Sequence, residues 1–178
     1  MNLTIRTATE ADRDSVYRVE SQAFGYDKEA KLVDSLLGDS TAEPCVSLLA
    51  FEKDQAVGHI LFTAGRIEGS ERKISLLAPL SVVPDSQGKG VGGKLIDAGL
   101  KLLAEMGIEL VFVLGHPGYY PKFGFTPAHP YGLNAPFPIP EKHADAWMVQ
   151  ALNDTELRSV RGTVVCADEL NKPEHWRE

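Results

Sequence analysis

The chain has 178 residues, enough for one domain with a substantial core, and its 43% hydrophobic and 24% charged residues are ordinary for a soluble globular protein. Its 18 basic and 25 acidic residues leave a formal net charge of −7, which argues against a surface that tracks nucleic-acid phosphates. No apolar run approaches the roughly 18 residues a membrane span needs, the N-terminus lacks a signal-peptide layout, and two distant cysteines, Cys45 and Cys166, indicate no disulfide framework, so a cytoplasmic protein without a membrane partner is expected.

In chain order, Leu3 to Arg6 reads as a short strand. Thr9 and Asp12 have capping-box spacing before a helix that turns Val16, Val19 and Ala23 to one side. Asp27 opens a second helix, with Ala30, Val33, Leu36 and Leu37 inward and Gly38 as its stop. Cys45 to Glu52 and Ala56 to Ile67 form a hairpin about Lys53-Asp54-Gln55, and Lys73 to Val83 is a third long strand. A glycine-rich loop follows, then a helix with Val91, Leu95, Ala98, Leu102 and Met106 at helical spacing and Gly107 at its end. Leu110 to Leu114 is a strand covered on both faces. Gly115 to Lys122 is a short turn, and a further strand includes Phe125. Five prolines between residues 127 and 140 make a stiff loop. Trp147 to Leu152 and Thr163 to Ala167 close the order as strands, and residues 168–178 read as a polar, flexible tail of one domain spanning 1–178. Such an order is mixed α/β or α+β, not a regular doubly wound sheet.

The chemistry concentrates in Val83-Pro84-Asp85-Ser86-Gln87-Gly88-Lys89-Gly90-Val91-Gly92-Gly93-Lys94-Leu95. Glycines let the main chain approach a ligand closely, and the free N–H groups and positive dipole end of a helix start attract an anion, so a phosphate is the natural ligand. Gly88, Gly90 and Gly93 spell G-x-G-x-x-G, yet Pro84 to Gln87 separate them from the strand, and the acidic residue about twenty positions on, Glu109, precedes a strand instead of ending one. Gly88 to Lys94 spells G-x-x-x-x-G-K, but the magnesium-binding Ser or Thr is replaced by Leu95. Context defeats both readings. Gln87-Gly88-Lys89-Gly90-Val91-Gly92 resembles the Q/R-x-x-G-x-G/A signature of the GNAT superfamily of N-acetyltransferases. The preceding Leu80-Ser81-Val82-Val83-Pro84 is similar to that family's strand and turn, and Tyr120-Pro121-Lys122-Phe123-Gly124-Phe125 to its Y-x-x-x-G-F element. The stretch Val111 to Phe125 resembles an uncharacterised bacterial branch of predicted N-acetyltransferases.

The resemblance implies a mixed central sheet flanked by helices, with two parallel strands, Lys73 to Val83 and Leu110 to Leu114, splayed around the pantetheine arm of acetyl-CoA. Main-chain groups of Leu80, Ser81 and Val82 would bind that arm and polarise the thioester, and Gln87, Gly88, Lys89, Gly90, Val91, Gly92 and Gly93 would cradle the pyrophosphate. Tyr120 would be the general acid, with Tyr119 as its rival; a phenol near pKa 10 stays protonated at neutral pH. The family's usual Asn before this element is replaced by Gly115-His116-Pro117-Gly118. Glu20, His116 or a water chain could be the base, His59 reads as structural, and no spacing suggests a metal site. The expected acceptor is a small-molecule or peptide amine, and a homodimer is in keeping with the superfamily. A CoA-binding or CoA-sensing module without turnover is the alternative. The loop His129 to Glu141, with Tyr131, Phe137 and Glu141, is either a preformed wall of the acceptor site or a stiff connection whose aromatics pack on the sheet.

Overall fold

The structure, a computed structural model, describes residues 2–177. Strand β1 (Leu3–Thr7) enters one turn of 3-10 helix (Glu10–Asp12) and then α1 (Arg13–Phe24). The capping box forms: the Thr9 main-chain N–H donates to Asp12 Oδ2 at 2.7 Å, and Arg6 grips the same carboxylate. Gly25, in the left-handed region at φ 75°, closes α1, and α2 (Lys28–Leu37) ends at Gly38. β2 (Val46–Glu52) and β3 (Gln55–Ile67) make the expected hairpin, followed by β4 (Ile74–Val82), α3 (Val91–Glu105) and β5 (Leu110–Leu114). The late strands are short: β6 (Thr126–Pro127), β7 (Leu133–Asn134), β8 (Trp147–Ala151) and β9 (Gly162–Val165). The sheet path is β1-β2-β3-β4-β5-β8-β6, with β9 joining β3 and β7. Among the described residues no helix is long and apolar enough to cross a membrane.

Two features of this mixed α/β sheet shape the site. β4 and β5 run parallel from the pair Ile74 and Leu110 to the pair Leu77 and Val113, and their pairing goes no further. Over the same stretch the β3–β4 register shifts: Ile60 faces Leu80 and Phe62 faces Leu77, so two steps on β3 span three on β4. The extra residue falls at Ala78-Pro79, and Pro79 has no N–H to give a ladder. The strands therefore part just beyond Leu77 and Val113. The sheet is also covered on both faces. Gly58 of β3 presses against Val91 and Leu95 of α3, while its neighbour His59 points the other way and bonds Glu20 of α1.

The buried stripe of α3 differs from the periodic one. Val91, Leu95, Ile96, Gly99 and Leu103 are buried, whereas Met106 is 39% exposed. The helix is rotated because Gly99 lies flat on the Phe62 ring. A methyl at Gly99 would collide with that ring, so Gly99→Ala should lower stability by about 2 kcal/mol although Ala is the better helix former. Thermal unfolding checks this: a raised midpoint would mean that Phe62 yields freely.

Residues 169–177 are anchored to the domain by two side chains. Leu170 and Trp176 are buried, Trp176 Nε1 donates to the Leu170 carbonyl at 3.0 Å, and Pro173–Trp176 forms a 3-10 turn. The polar composition of this segment concealed its single large anchor. Trp176 meets Trp147 edge-on at 5.5 Å, and Trp147 in turn stacks on Phe112 of β5 at 5.1 Å.

Candidate active site

The glycine-rich loop leaves β4 through a 3-10 turn (Pro84–Ser86) and is tied back to that strand by Gln87, whose Nε2 donates to the Val82 carbonyl at 2.9 Å. Gly88 and Gly90 have φ of 75° and 83°, which a side chain would strain, and the space beside both is open. Gly90 caps α3. The N–H groups of Val91, Gly92 and Gly93 thus fall in the first helical turn, where no preceding carbonyl can accept from them. A Cβ at Gly92 would stand 2.7 Å from the Tyr119 hydroxyl, and one at Gly93 2.9 Å from the Phe123 ring. Glycine lets the Tyr119–Phe123 turn pack directly on the helix start, against the hydroxyl tip of Tyr119 at Gly92 and the Phe123 ring at Gly93.

A cleft of about 630 Å³ opens at this helix start, between Leu80 and Val82 of β4 and Tyr119 and Phe123. Gln87, Gly88, Gly90, Val91, Gly92 and Gly93 all line it. So do Lys94, Asp97 and Lys122, which sequence reasoning passed over; the helix start could have indicated Lys94, but nothing local indicated Lys122. Two expected residues lie elsewhere. Lys89 lines a larger, open cleft of about 980 Å³ beside Glu52, Asp54 and Asp85, a poor setting for a polyphosphate. The Ser81 side chain points to the opposite face and donates to Glu20, and its main chain is paired with His59 of β3. The smaller cleft offers the free N–H groups of a helix start, the kind of site that attracts an anion, and includes Leu80 and Val82 of β4, which lie beyond the last β4–β5 pair.

The two tyrosines differ. Tyr119 lines the cleft and is half-buried, with Lys122 over its ring at 5.4 Å. Tyr120 is 9% exposed, packed against Gly115 and edge-on to Phe125. Burial, with a smaller contribution from Tyr119, pushes its phenol well above the usual tyrosine range, so it stays protonated at any physiological pH. Unlike Tyr119, Tyr120 lines neither the loop cleft nor the groove described below.

Of the candidate bases, Glu20 is completely buried and both its oxygens are engaged. His59 Nδ1 lies 2.6 Å from Oε2, the Ser81 hydroxyl donates to Oε1, and Ser47 Oγ completes the chain 2.8 Å from His59 Nε2. That carboxylate is closed to solvent and, through these bonds, joins α1, β2, β3 and β4. His116 is exposed and lines neither the loop cleft nor the groove described next. Among the described residues no group of three or more His, Cys, Asp or Glu could hold a metal.

A second concavity of about 330 Å³ lies on the α1/α2 face, where β4 and β5 part. Ala78, Pro79 and Leu114 border it at the strand gap, Phe24, Lys28 and Glu29 on the helices, and the segment Leu170–Arg177 on the far side. The proline-rich loop does not reach it. Tyr131 packs under Arg158, and Phe137 lines a separate apolar cavity with Leu133 and Ile139. This groove is walled by the C-terminal segment, while β7 draws the proline loop toward β9.

Residues 4–128 match the family model described as an acetyltransferase (GNAT) domain. Over 170 residues the chain is 46% identical to the uncharacterized N-acetyltransferase YjhQ of Escherichia coli K12, covering 94% of this chain and 93% of that one. Its structure is similar to that of the GNAT family N-acetyltransferase YhbS from Escherichia coli in complex with CoA, with a TM-score of 0.86 and 29% identity over 96% of this chain and 92% of that one. It is also similar to a GNAT family acetyltransferase from Brucella melitensis in complex with acetyl-CoA, with a TM-score of 0.76 and 30% identity over 95% and 98% of the two chains.

Proposed function

The chain belongs to the GNAT acetyltransferase family and is an acetyl-CoA-dependent N-acetyltransferase, and from that premise we propose that it acetylates a primary amine by direct attack within a ternary complex, with Tyr120 as the general acid. The observation that carries this reading is the alignment of two concavities on one gap: the loop cleft ends at Leu80 on one face of the sheet, and the groove bordered by Ala78, Pro79 and Leu114 opens on the other. A thioester delivered along β4 would meet an amine arriving from the opposite side. Holding two reactants in one geometry is worth about 7–11 kcal/mol in favourable systems, so positioning alone supplies much of the rate.

The donor is held mainly by main chain. Free N–H groups of Val91, Gly92 and Gly93 take the pyrophosphate, with Lys94 and Lys122 adding positive charge. On the side away from β3 and beyond the last β4–β5 pair, main-chain groups of Leu80 and the Val82 N–H would bind the arm and polarise the acetyl carbonyl. The amine arrives as an ammonium ion and gives up one proton before attack. Its lone pair then forms the C–N bond, the C–S bond breaks, and the departing sulfur takes the Tyr120 phenolic proton. The second nitrogen proton returns to the phenolate, so one proton is released overall.

Tyr120→Phe keeps the ring packing against Phe125 and removes the transferable proton. The maximal rate of thiol release with an amine acceptor should fall roughly 10- to 1000-fold while CoA affinity by calorimetry stays within about twofold. Equal turnover in the Phe variant would remove Tyr120 from the acid role and leave Tyr119 or water. Tight CoA binding with no transfer to any amine would instead mark the protein as a CoA-sensing module.

A further inference from the structure

We propose that His175, carried over the strand gap by the C-terminal segment, is the base that deprotonates the acceptor ammonium, and that Glu29 holds that ammonium until it does. The inference rests on the acetyltransferase reading above and names the acceptor half of that site.

Three observations on the groove lead to it. Both residues line the concavity whose border at Ala78, Pro79 and Leu114 is the parting of β4 and β5, so a group bound between them faces the gap. Glu29, in the first turn of α2, has an Oε2 that is sealed from solvent and has no hydrogen-bond partner among the described residues. A carboxylate oxygen withdrawn from water without a partner favours a cation brought to it. Beside the charged Lys28, Glu174 and Arg177, the groove has a partly exposed apolar lining of Phe24, Leu32, Ala78, Pro79 and Leu114. The fitting acceptor is a small primary amine with an apolar body, its ammonium on Glu29.

The protonation state of His175 is suited to the task. The ring is half-buried, and desolvation lowers its pKa below the ordinary histidine value. Glu174 on its own turn and Glu29 on α2 pull the other way, Lys28 on α2 and Lys172 push down, and Arg177 adds a further positive charge at the rim. The net direction is down, so the imidazole is neutral at pH 7 and can accept a proton. The proton balance closes: the ammonium gives its first proton to the imidazole, the neutral nitrogen attacks the acetyl carbon, and the imidazolium releases its proton to solvent after the product leaves. The rival side chains are less well placed, since Glu20 is sealed with both oxygens engaged and His116 lies outside both concavities.

The test is acetyl transfer from acetyl-CoA to benzylamine, 2-phenylethylamine, leucinamide and putrescine, read as free thiol across pH 6 to 10. His175→Gln should lower kcat/KM for the best amine roughly 10- to 1000-fold at pH 7. It should also remove the histidine limb of the pH profile, so that the variant recovers as pH rises toward the amine's own pKa. The KM for acetyl-CoA should stay within about twofold. Glu29→Gln should raise the amine KM about tenfold and leave that for acetyl-CoA unmoved. His175 is accessible, and Trp176, untouched, keeps the segment anchored, so His175→Gln should fold. Wild-type turnover with an unchanged rate and pH profile in His175→Gln overturns this inference alone. A wild-type protein inert toward every amine overturns the parent reading, and this one with it.

Discussion

Gly92→Asp should abolish useful CoA binding, weakening it at least about 100-fold, which corresponds to about 2.7 kcal/mol. Gly92 lies in the first turn of α3, where its Cβ would project into the loop cleft 2.7 Å from the Tyr119 hydroxyl. The substitution therefore puts a carboxylate where a pyrophosphate must approach the free N–H groups and lets that carboxylate occupy them itself. A useful separation follows. An acidic side chain in a first helical turn stabilises the helix by about 0.3–1 kcal/mol. The variant should consequently unfold at or near the wild-type temperature once the phenol of Tyr119 swings aside. Calorimetric titration with CoA and a thermal melt decide it together: loss of binding at preserved stability supports the assignment, and unchanged binding in a folded variant removes the phosphate site from this loop.

Glu20→Ala should cost about 3–5 kcal/mol of stability, the usual result of stripping a buried carboxylate from the groups hydrogen-bonded to it. The change leaves His59 Nδ1 and the Ser81 hydroxyl facing a dry hole, and each orphaned polar group is itself expensive. For a chain of this length the unfolding midpoint should drop about 10 °C. Glu20→Gln keeps the shape and an oxygen for Ser81, so it should lose less than half as much. Because Ser81 sits between Leu80 and Val82, both of which line the loop cleft, the Ala variant should also raise the KM for acetyl-CoA. A midpoint shift under about 3 °C in Glu20→Ala would show that α1 is held to the sheet by apolar packing alone.

What could be read from the sequence was local. The helix-start glycines, the capping box of Thr9 and Asp12, the hairpin about Lys53 and the apolar run of β5 each carry their signal within a few residues. The loop cleft was legible for the same reason, since main-chain recognition depends on glycine placement and a helix start. What stayed hidden depends on distance along the chain. His59 and Ser81 reach Glu20 from two different strands, Ser47 joins through His59 from a third, and no periodicity pairs residues 39 or 61 positions apart. Reading His59 as structural was compatible with its burial, but its partners could not be named. The rotation of α3 depends on Phe62 meeting Gly99, a contact between elements that the helical pattern alone does not encode. In the C-terminal segment charges outnumber apolar residues, a composition that reads as a loose tail, although one buried tryptophan is enough to dock it.

That tryptophan has an optical consequence. The chain contains two tryptophans, Trp147 and Trp176, and both border the groove on the α1/α2 face. The loop cleft on the other face holds only the weaker emitters Tyr119 and Phe123. The protein's indole fluorescence therefore originates at the acceptor side. An amine that settles against the Trp147–Trp176 pair should change emission intensity or wavelength without any attached dye, while donor binding alone should leave the indole spectrum nearly as it was. Titrating the intrinsic emission would follow occupancy of one half of the site independently of the other.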